Sequence, residues 1–192
     1  ATIQFDTSTG NIYPNMGDGG LAVGSALYLY SMLHPLKPQW IDNVYWGTEY
    51  SDDEIREALE GFNLGYEYLP DIEKTVAGIL AGGNVVARFN GRMEYGPRAL
   101  GNRSVLYRPD DPSVNDWLNK KLKRTEFMPF APVTMIEHAA DCYDLKKNVI
   151  RPATFMTITC DCTDNMKKMS SGVVHVDGTA RPQLIERSQN PS

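Results

Sequence analysis

Residues 84–107 read NVVARFNGRMEYGPRALGNRSVLY, in which two apolar runs flank a loop rich in arginine and glycine. The runs at 84–89 and 104–107 predict short strands, because branched and aromatic residues bounded by turn formers favour extended structure. The loop at 91–104 holds three arginines, three glycines and one proline. A strand that leads directly into such a loop is a common place for a ligand site.

Helices and strands alternate in the rest of the chain, which predicts an α/β domain. Residues 17–33 predict a helix that is buried on nearly all sides and is entered through a glycine turn. Ser51 and Glu54 predict a capping box, Pro70 marks the start of a second helix, and Ser113 is predicted to cap another. Further strands are predicted at 66–70, within 130–137, within 154–160 and within 172–183.

The composition describes a folded protein without a membrane span or a signal peptide. Of the 192 residues, 42% are apolar and 22% are charged. The net charge of −5 argues against general nucleic-acid binding. Residues 88–124 nevertheless carry nine Lys or Arg against four Asp or Glu, so this segment is +5 and the remainder is −10. Such a basic segment fits either a locally held anion or a solvated basic face.

Three cysteines are present, Cys142, Cys160 and Cys162. An odd number without framework spacing indicates reduced thiols and a cytoplasmic protein. Cys160 and Cys162 alternate in a strand-like run, so we expect their thiols to face the same way. Because no second cysteine pair lies nearby in sequence, the spacing does not indicate a zinc site.

The arginines of the loop, Arg92, Arg98 and Arg103, predict a site for a phosphate-bearing ligand. A guanidinium makes paired, charge-assisted hydrogen bonds to phosphate, and glycines let backbone N–H groups approach an anion. The alternative is that these arginines pair with carboxylates. Only Glu94 lies nearby in sequence, so local ion pairs cannot satisfy all three.

Two further segments, 120–132 and 175–183, contain residues that could contact a ligand. The first segment ends a predicted helix with basic residues, which either reach a phosphate or are solvated. The second segment, HVDGTARPQ, contains an Asp-Gly turn signal beside a further candidate anion contact and a histidine. That histidine is either an acid/base group or a structural residue of a strand. The residues concerned are Lys123, Arg124, His175 and Arg181.

Asp18 lies in the sequence GDGG at 17–20. A carboxylate beside glycines could ligate a metal, but one ligand does not make a site. The residues alone favour a turn aspartate that caps the following helix.

Three motifs in this order, GRMEYGPRALGNRS, KRTEFMPFAP and HVDGTARPQ, closely resemble those of the carbamoyltransferases of the nodulation and antibiotic-biosynthesis type. That family includes enzymes that O-carbamoylate Nod factors, aminoglycosides and cephalosporins. The resemblance extends over essentially the whole chain, but not over the whole length of a family protein. It implies a transferase that acts in biosynthesis.

The resemblance implies an incomplete YrdC-like domain, with a twisted mixed sheet and flanking helices, preceded by the last helix of a domain with the actin-like ATPase fold. Residues 1–34 resemble the tail of that carbamoyl-transfer domain, 35–50 are a linker, and 51–192 resemble the YrdC-like domain without its C-terminal part. The family continues beyond HVDGTAR with a strand and an NTSFN-like motif, whereas this chain ends at QNPS.

The resemblance also implies the chemistry. The YrdC-like domain binds carbamoyl phosphate and ATP, with Mg²⁺, and forms carbamoyl-adenylate with release of pyrophosphate. The other domain holds iron or another divalent metal and transfers the carbamoyl group to a hydroxyl-bearing small molecule. By this match Asp18 is a metal ligand rather than a helix cap, and its histidine partners would lie upstream.

The implied site residues fall into two groups. Arg98, Lys123 and Arg181 would bind phosphate groups in the reaction. The residues of the surrounding shell would be Arg92, Asn102, Arg103, Arg124 and His175.

Two other readings stay open beside the carbamoyltransferase. One is a non-catalytic nucleotide- or phosphate-binding module that works with partner chains, which the absence of the NTSFN-like motif favours. The other is an RNA-binding relative, which the net charge opposes. Because an incomplete domain exposes apolar edges, we also expect a tendency to self-associate.

Overall fold

A computed structural model describes residues 13–35, 41–123, 129–145 and 149–190. These residues divide into two compact units. The first unit takes its described residues from 13–43, 96–98 and 109–190. The second unit consists of residues 44–95 and 99–108. The loop at 91–104 therefore contributes to both units.

The described residues form α-helices and short strands that alternate along the chain, so the α/β class is confirmed. The helices are α1 (Asp18–Leu33), α2 (Asp52–Gly61), α3 (Ile72–Ala81), α4 (Ser113–Lys121), α5 (Ala139–Cys142), α6 (Ile150–Thr154) and α7 (Asp164–Met169). The strands are β1 (Val86–Phe89), β2 (Arg103–Leu106), β3 (Val133–Met135), β4 (Tyr143–Asp144), β5 (Cys160–Cys162), β6 (Thr179–Ala180) and β7 (Gln183–Ile185).

The core of the first unit lies between two small sheets and short helices. Strands β4, β5 and β6 form one antiparallel sheet, with Tyr143 opposite Cys162 and Cys160 opposite Ala180. Strands β3 and β7 pair in parallel. Tyr143 is buried among these elements, and its hydroxyl lies 2.8 Å from the hydroxyl of Thr134 in β3. This hydrogen bond satisfies the polar end of an otherwise apolar core residue.

The two cysteines of β5 both face this core, while Asp161 between them is exposed. The prediction that their thiols face the same way is confirmed. All three cysteines are free. Burial raises the pKa of Cys162 to about 11, so this thiol stays protonated at neutral pH and behaves as a small apolar side chain.

The second unit is built on a hairpin. Strands β1 and β2 pair antiparallel, with Val86 opposite Leu106 and Phe89 opposite Arg103. The predicted capping box is confirmed, because Ser51 Oγ accepts from the Glu54 N–H and the Glu54 carboxylate accepts from the Ser51 N–H. The hairpin connection is the arginine-rich loop, so both of its ends are fixed by strand pairing.

Residues 17–33 contain a helix as predicted, but the prediction that this helix is buried is wrong. Helix α1 forms, but Gly20 is its one buried residue. Leu29 and Met32 are 63% and 68% exposed. The apolar pattern gives the helix, but within the described chain its outer faces have no surface to pack against. Across the described ranges, no helix has the length and apolar character needed to cross a membrane.

Three helix and strand starts also differ from the prediction. Residues 66–70 contain no strand. Helix α3 begins at Ile72 after the N-cap Asp71, two residues later than the Pro70 start. Ser113 is the first residue of α4 and not its cap. Asp111 accepts from both the N–H and the hydroxyl of Ser113, at 3.0 and 2.7 Å.

The C-terminal strands are shorter than predicted. Within 154–160, helix α6 ends at Thr154 and a turn follows, so the strand begins only at Cys160. Met156 in this turn has φ of 51°, a conformation that breaks the extended run. Within 172–183, a 3-10 turn at Ser171–Val173 precedes β6, and β7 begins at Gln183.

Replacing Leu184 by alanine tests the core of the first unit. Leu184 is 1% exposed, so the substitution leaves a cavity and is expected to lower the free energy of unfolding by about 2–5 kcal/mol. Val133 in the paired strand β3 is 60% exposed, and Val133→Ala is the control, with an expected change within about 0.5 kcal/mol. Urea denaturation followed by circular dichroism measures both. Equal losses would contradict this core.

Candidate functional site

A single carboxylate organises the arginine-rich loop. Glu94 Oε1 accepts hydrogen bonds from the backbone N–H groups of Leu100 (2.8 Å), Asn102 (2.7 Å) and Arg103 (3.1 Å). Burial raises the pKa of this carboxyl, but the backbone N–H donors outweigh burial and hold the pKa below its ordinary value. Glu94 therefore stays ionised, and its charge replaces an external anion in a nest of backbone donors.

Arg103 holds the same loop from the other side. Its guanidinium donates to four backbone carbonyls, those of Asn90 (2.8 Å), Asn102 (3.0 Å), Gly91 (3.1 Å) and Thr48 (3.3 Å). The guanidinium carbon also lies 3.6 Å from the centre of the Phe89 ring. Both terminal nitrogens of Arg103 are thus engaged within the protein. Sequence reasoning considered carboxylates as partners and missed carbonyls, which leave no sequence signal.

Asn102 and Arg92 complete this part of the loop. Asn102 is buried, and its amide donates to the carbonyl of Arg92 at 2.8 Å. The Arg92 side chain is exposed, with one long hydrogen bond of 3.4 Å to the carbonyl of Gly47. Of the three loop arginines, Arg92 and Arg103 lie in the second unit and Arg98 in the first.

Arg98 and Arg181 come together in the first unit. Both side chains are half-buried. Burial and the nearby charge of Arg181 lower the pKa of Arg98 below its ordinary value. Arg181 Nε is buried and has no hydrogen-bond partner among the described residues. The two positive charges thus oppose each other in a partly desolvated place, where an anion would relieve their repulsion.

His175 lies at the start of the turn that leads to Arg181. Its backbone N–H donates to the Thr179 carbonyl at 2.7 Å, and its ring nitrogen Nδ1 lies 3.2 Å from Thr179 Oγ1. Asp177 Oδ1 accepts from the N–H and the hydroxyl of Thr179, at 3.0 and 2.8 Å. Gly178 has φ of 81°, which confirms the Asp-Gly turn. The sequence placed Thr179 in the same cluster as His175 but indicated no role for it.

Lys123 follows helix α4 with φ of 53°, in the left-handed region that favours glycine. Helices commonly end in this conformation, and Asn63 and Met156 adopt it after α2 and α6 as well. Its predicted neighbour Arg124 lies outside the described residues.

Asp18 is the first residue of α1, and the N-cap is Gly17, without any side-chain capping bond. The interpretation of Asp18 as a cap is therefore wrong. In the described ranges, no three His, Cys, Asp or Glu side chains converge on a common point where a metal could bind.

A groove of about 420 Å³ runs along α1. The residues that line it include Asn15, Gly20, Gly24 and Tyr28. A Cβ at Gly20 would collide with the Asn15 carbonyl, so this glycine permits a close backbone approach.

The chain belongs to the carbamoyltransferase C-terminal family, because the sequence model described as Carbamoyltransferase C-terminus matches residues 77–192, more than half of the chain. The resemblance read from the three motifs is thereby confirmed. The match includes the arginine-rich loop and the segment from His175 to Arg181.

Relatives of known sequence agree with this family. The chain is 34% identical to nodulation protein NolO of Bradyrhizobium diazoefficiens, over 94% of this chain and 34% of that protein. It is 32% identical to nodulation protein U of Rhizobium tropici, over 92% and 28%. An uncharacterised protein of Methanocaldococcus jannaschii is 33% identical, over 94% and 30%. The chain thus spans about a third of the length of the curated relatives that it matches.

Acid is expected to open the arginine-rich loop. The folded-state pKa of Glu94 lies below the ordinary value of 4.5, so its stabilisation is complete above that pH and is lost as the pH falls through the folded-state pKa. Hydrogen-exchange protection of the Leu100, Asn102 and Arg103 amides measures this loss. In Glu94→Gln, which keeps an acceptor oxygen but no charge, protection should already be lower at neutral pH and should change little on acidification. Identical profiles in both proteins would contradict the role of Glu94.

Arg103→Lys is expected to lower the free energy of unfolding by about 1–2 kcal/mol, because an ammonium group cannot reach four carbonyls and stack on Phe89. Arg92→Lys is the matched control, since the exposed Arg92 makes one long hydrogen bond, and its stability should stay within about 0.5 kcal/mol of the parent. Urea denaturation of both variants distinguishes them. If they are equally stable, Arg103 does not clamp the loop.

Proposed function

We propose that this chain is the donor-binding part of an ATP-dependent O-carbamoyltransferase, and that Arg98 and Arg181 bind a phosphate group of carbamoyl phosphate or ATP. The observation that carries the proposal is the mutual repulsion of these two half-buried guanidinium groups, together with a buried Nε of Arg181 that finds no acceptor among the described residues. A bound phosphate oxygen supplies that acceptor and neutralises the mutual repulsion of the two cations. Family membership favours the same ligand class.

The reaction that fits this site proceeds by two bond exchanges. Water cleaves carbamoyl phosphate to carbamate and inorganic phosphate, and a carbamate oxygen then attacks the α-phosphorus of ATP. Pyrophosphate leaves, and carbamoyl-adenylate remains. Such displacements depend on positioning and on neutralisation of phosphate charge rather than on a covalent nucleophile. Fixed guanidinium groups such as Arg98 and Arg181 meet that requirement.

The other candidate residues take supporting roles in this proposal. Lys123, which directly follows α4, is a further phosphate contact. Arg92 and Arg124 add positive charge around the phosphate site without contacting the ligand. Asn102 and Arg103 shape the loop, because their hydrogen bonds go to the backbone of the loop itself. The described residues offer no carboxylate cluster for Mg²⁺, so we assign no magnesium ligand and no step to it.

The domain assignment is also a proposal. We propose that 51–192 belong to a YrdC-like domain, that 35–50 are a linker, and that 1–34 belong to an actin-like domain that transfers the carbamoyl group to a hydroxyl-bearing small molecule. The exposed apolar side chains of α1 support this, since they need a covering surface. In this view Asp18 becomes one ligand of iron or another divalent metal. The other ligands would come from outside the described residues.

A phosphate- or nucleotide-binding module without catalytic activity of its own is the second candidate. The observation that favours it is the same pair of guanidinium groups, which can bind a phosphate whether or not a reaction follows. Both candidates require the Arg98 and Arg181 site. They differ in whether the purified chain releases pyrophosphate from ATP in the presence of carbamoyl phosphate.

Calorimetric titration with carbamoyl phosphate, inorganic phosphate and ATP–Mg²⁺ tests the site. Arg98→Gln should weaken phosphate binding at least about tenfold, because one charge-assisted contact is worth about 1.5–3 kcal/mol. Arg187→Gln removes the same charge from an exposed position in the same unit and is the matched control, with affinity expected to stay within about twofold.

The opposite pattern would refute this assignment. If the Arg98 variant and the Arg187 variant bind phosphate equally well, the two guanidinium groups do not form the site. If the parent chain binds none of the three ligands, the proposed function of the chain itself fails.

A further inference from the structure

The strongest unassigned feature is a chain of hydrogen bonds from Asp177 through Thr179 to His175. Asp177 Oδ1 accepts from the Thr179 hydroxyl at 2.8 Å, and Thr179 Oγ1 lies 3.2 Å from His175 Nδ1. The Thr179 N–H also donates to Asp177 Oδ1, at 3.0 Å. Three groups within five residues of chain are therefore linked, and the Asp-Gly turn holds them in place.

The donors and acceptors along this series of hydrogen bonds determine which imidazole nitrogen of His175 carries the hydrogen. Hydrogen bonds from the Thr179 N–H and hydroxyl lower the pKa of Asp177, so this carboxylate is ionised and only accepts. The Thr179 hydroxyl must therefore donate its one hydrogen to Asp177. Its oxygen is then left to accept from His175, so the neutral ring carries its hydrogen on Nδ1.

The second ring nitrogen is consequently an acceptor. Nε2 of the neutral His175 ring carries a lone pair and makes no hydrogen bond within the described residues. Arg181 directly follows β6, and burial alternates here, since Thr179 and Arg181 are half-buried while Ala180 between them is buried. This alternation indicates that the Thr179 and Arg181 side chains lie on the same side of the backbone. The His175 ring, bonded to Thr179, therefore shares a face with Arg181.

A carbamoyl donor needs such an acceptor. Its phosphate oxygens only accept, and the cationic side chains of Arg98, Lys123 and Arg181 only donate. Its amide nitrogen, in contrast, carries two N–H donors that these cations cannot satisfy. Acetyl phosphate has a methyl group at that position and otherwise nearly the same shape. A neutral imidazole acceptor beside the phosphate site distinguishes the two compounds.

We propose that His175 accepts a hydrogen bond from the carbamoyl N–H₂ group at Nε2, and so selects carbamoyl phosphate over acyl phosphates. Thr179 and Asp177 are positioning residues that fix the required tautomer. The inference rests on the proposed function, because it takes the phosphate group to lie against Arg98 and Arg181. It assigns a substrate-selecting role to a histidine that the phosphate contacts leave unexplained.

The tautomer is measured first, and without any ligand. Two-bond ¹H–¹⁵N spectra of the purified chain in mildly alkaline solution show which nitrogen of a neutral imidazole carries the hydrogen. His175→Phe identifies the signals of this ring among the three histidines. We expect the Nδ1–H form in the parent and in Thr179→Ser, which keeps the hydroxyl. Thr179→Val should shift the ring toward the Nε2–H form.

Selectivity is measured second, by calorimetric titration with carbamoyl phosphate, acetyl phosphate and inorganic phosphate. The parent should prefer carbamoyl phosphate to acetyl phosphate at least about fivefold, the expected effect of one buried hydrogen bond. His175→Phe and Thr179→Val should reduce the preference to within about twofold, with inorganic phosphate binding retained. His175→Gln, whose side-chain oxygen can replace Nε2 as acceptor, should keep much of it.

The outcomes separate this inference from the function on which it rests. Equal binding of carbamoyl and acetyl phosphate by the parent overturns the inference and leaves the phosphate site intact. An Nε2–H ring in the parent also overturns it. If Thr179→Val and His175→Phe each lose inorganic phosphate binding, the two residues have a structural role, and the proposed role in substrate selection is overturned. A parent that binds no phosphate compound overturns the proposed function and the inference together.

Discussion

The arginine-rich loop depends on one buried carboxylate. Glu94 accepts three backbone N–H groups from residues 100–103 through a single oxygen, and this closes the segment that carries Arg98. A neutral acceptor would bind these donors more weakly, because charge-assisted hydrogen bonds are about twice as strong as neutral ones. The loop therefore supplies its own anion to these backbone donors.

The three arginines of this loop serve different purposes. Arg103 donates to backbone carbonyls and stacks on Phe89, so it belongs to the architecture of the loop. Arg98 approaches Arg181 instead, and the two positive charges oppose each other in a partly desolvated place. Repulsion of this kind lowers stability, and an anion that binds there relieves it.

Sequence patterns predicted the features that depend on neighbouring residues. The capping box of Ser51 and Glu54, the Asp-Gly turn at 177–178 and the shared direction of Cys160 and Cys162 are local, and the structure has all three. The same patterns misjudged α1, because burial depends on which surfaces surround a helix and not on its own composition. They also misplaced the strand after Thr154, where a positive φ at Met156 ends the extended run.

The sequence by itself determined the α/β class, the family and the residues that are able to contact phosphate, because local propensity and ordered motifs are written along the chain. Only the tertiary structure decided how those residues divide. Whether a guanidinium meets a carbonyl, as Arg103 does, or another guanidinium, as Arg98 does, depends on contacts between residues distant in sequence. The same holds for the Nε of Arg181, which is buried without an acceptor among the residues that the structure describes. Every residue has a backbone carbonyl, so no sequence motif predicts which carbonyl a side chain will bind.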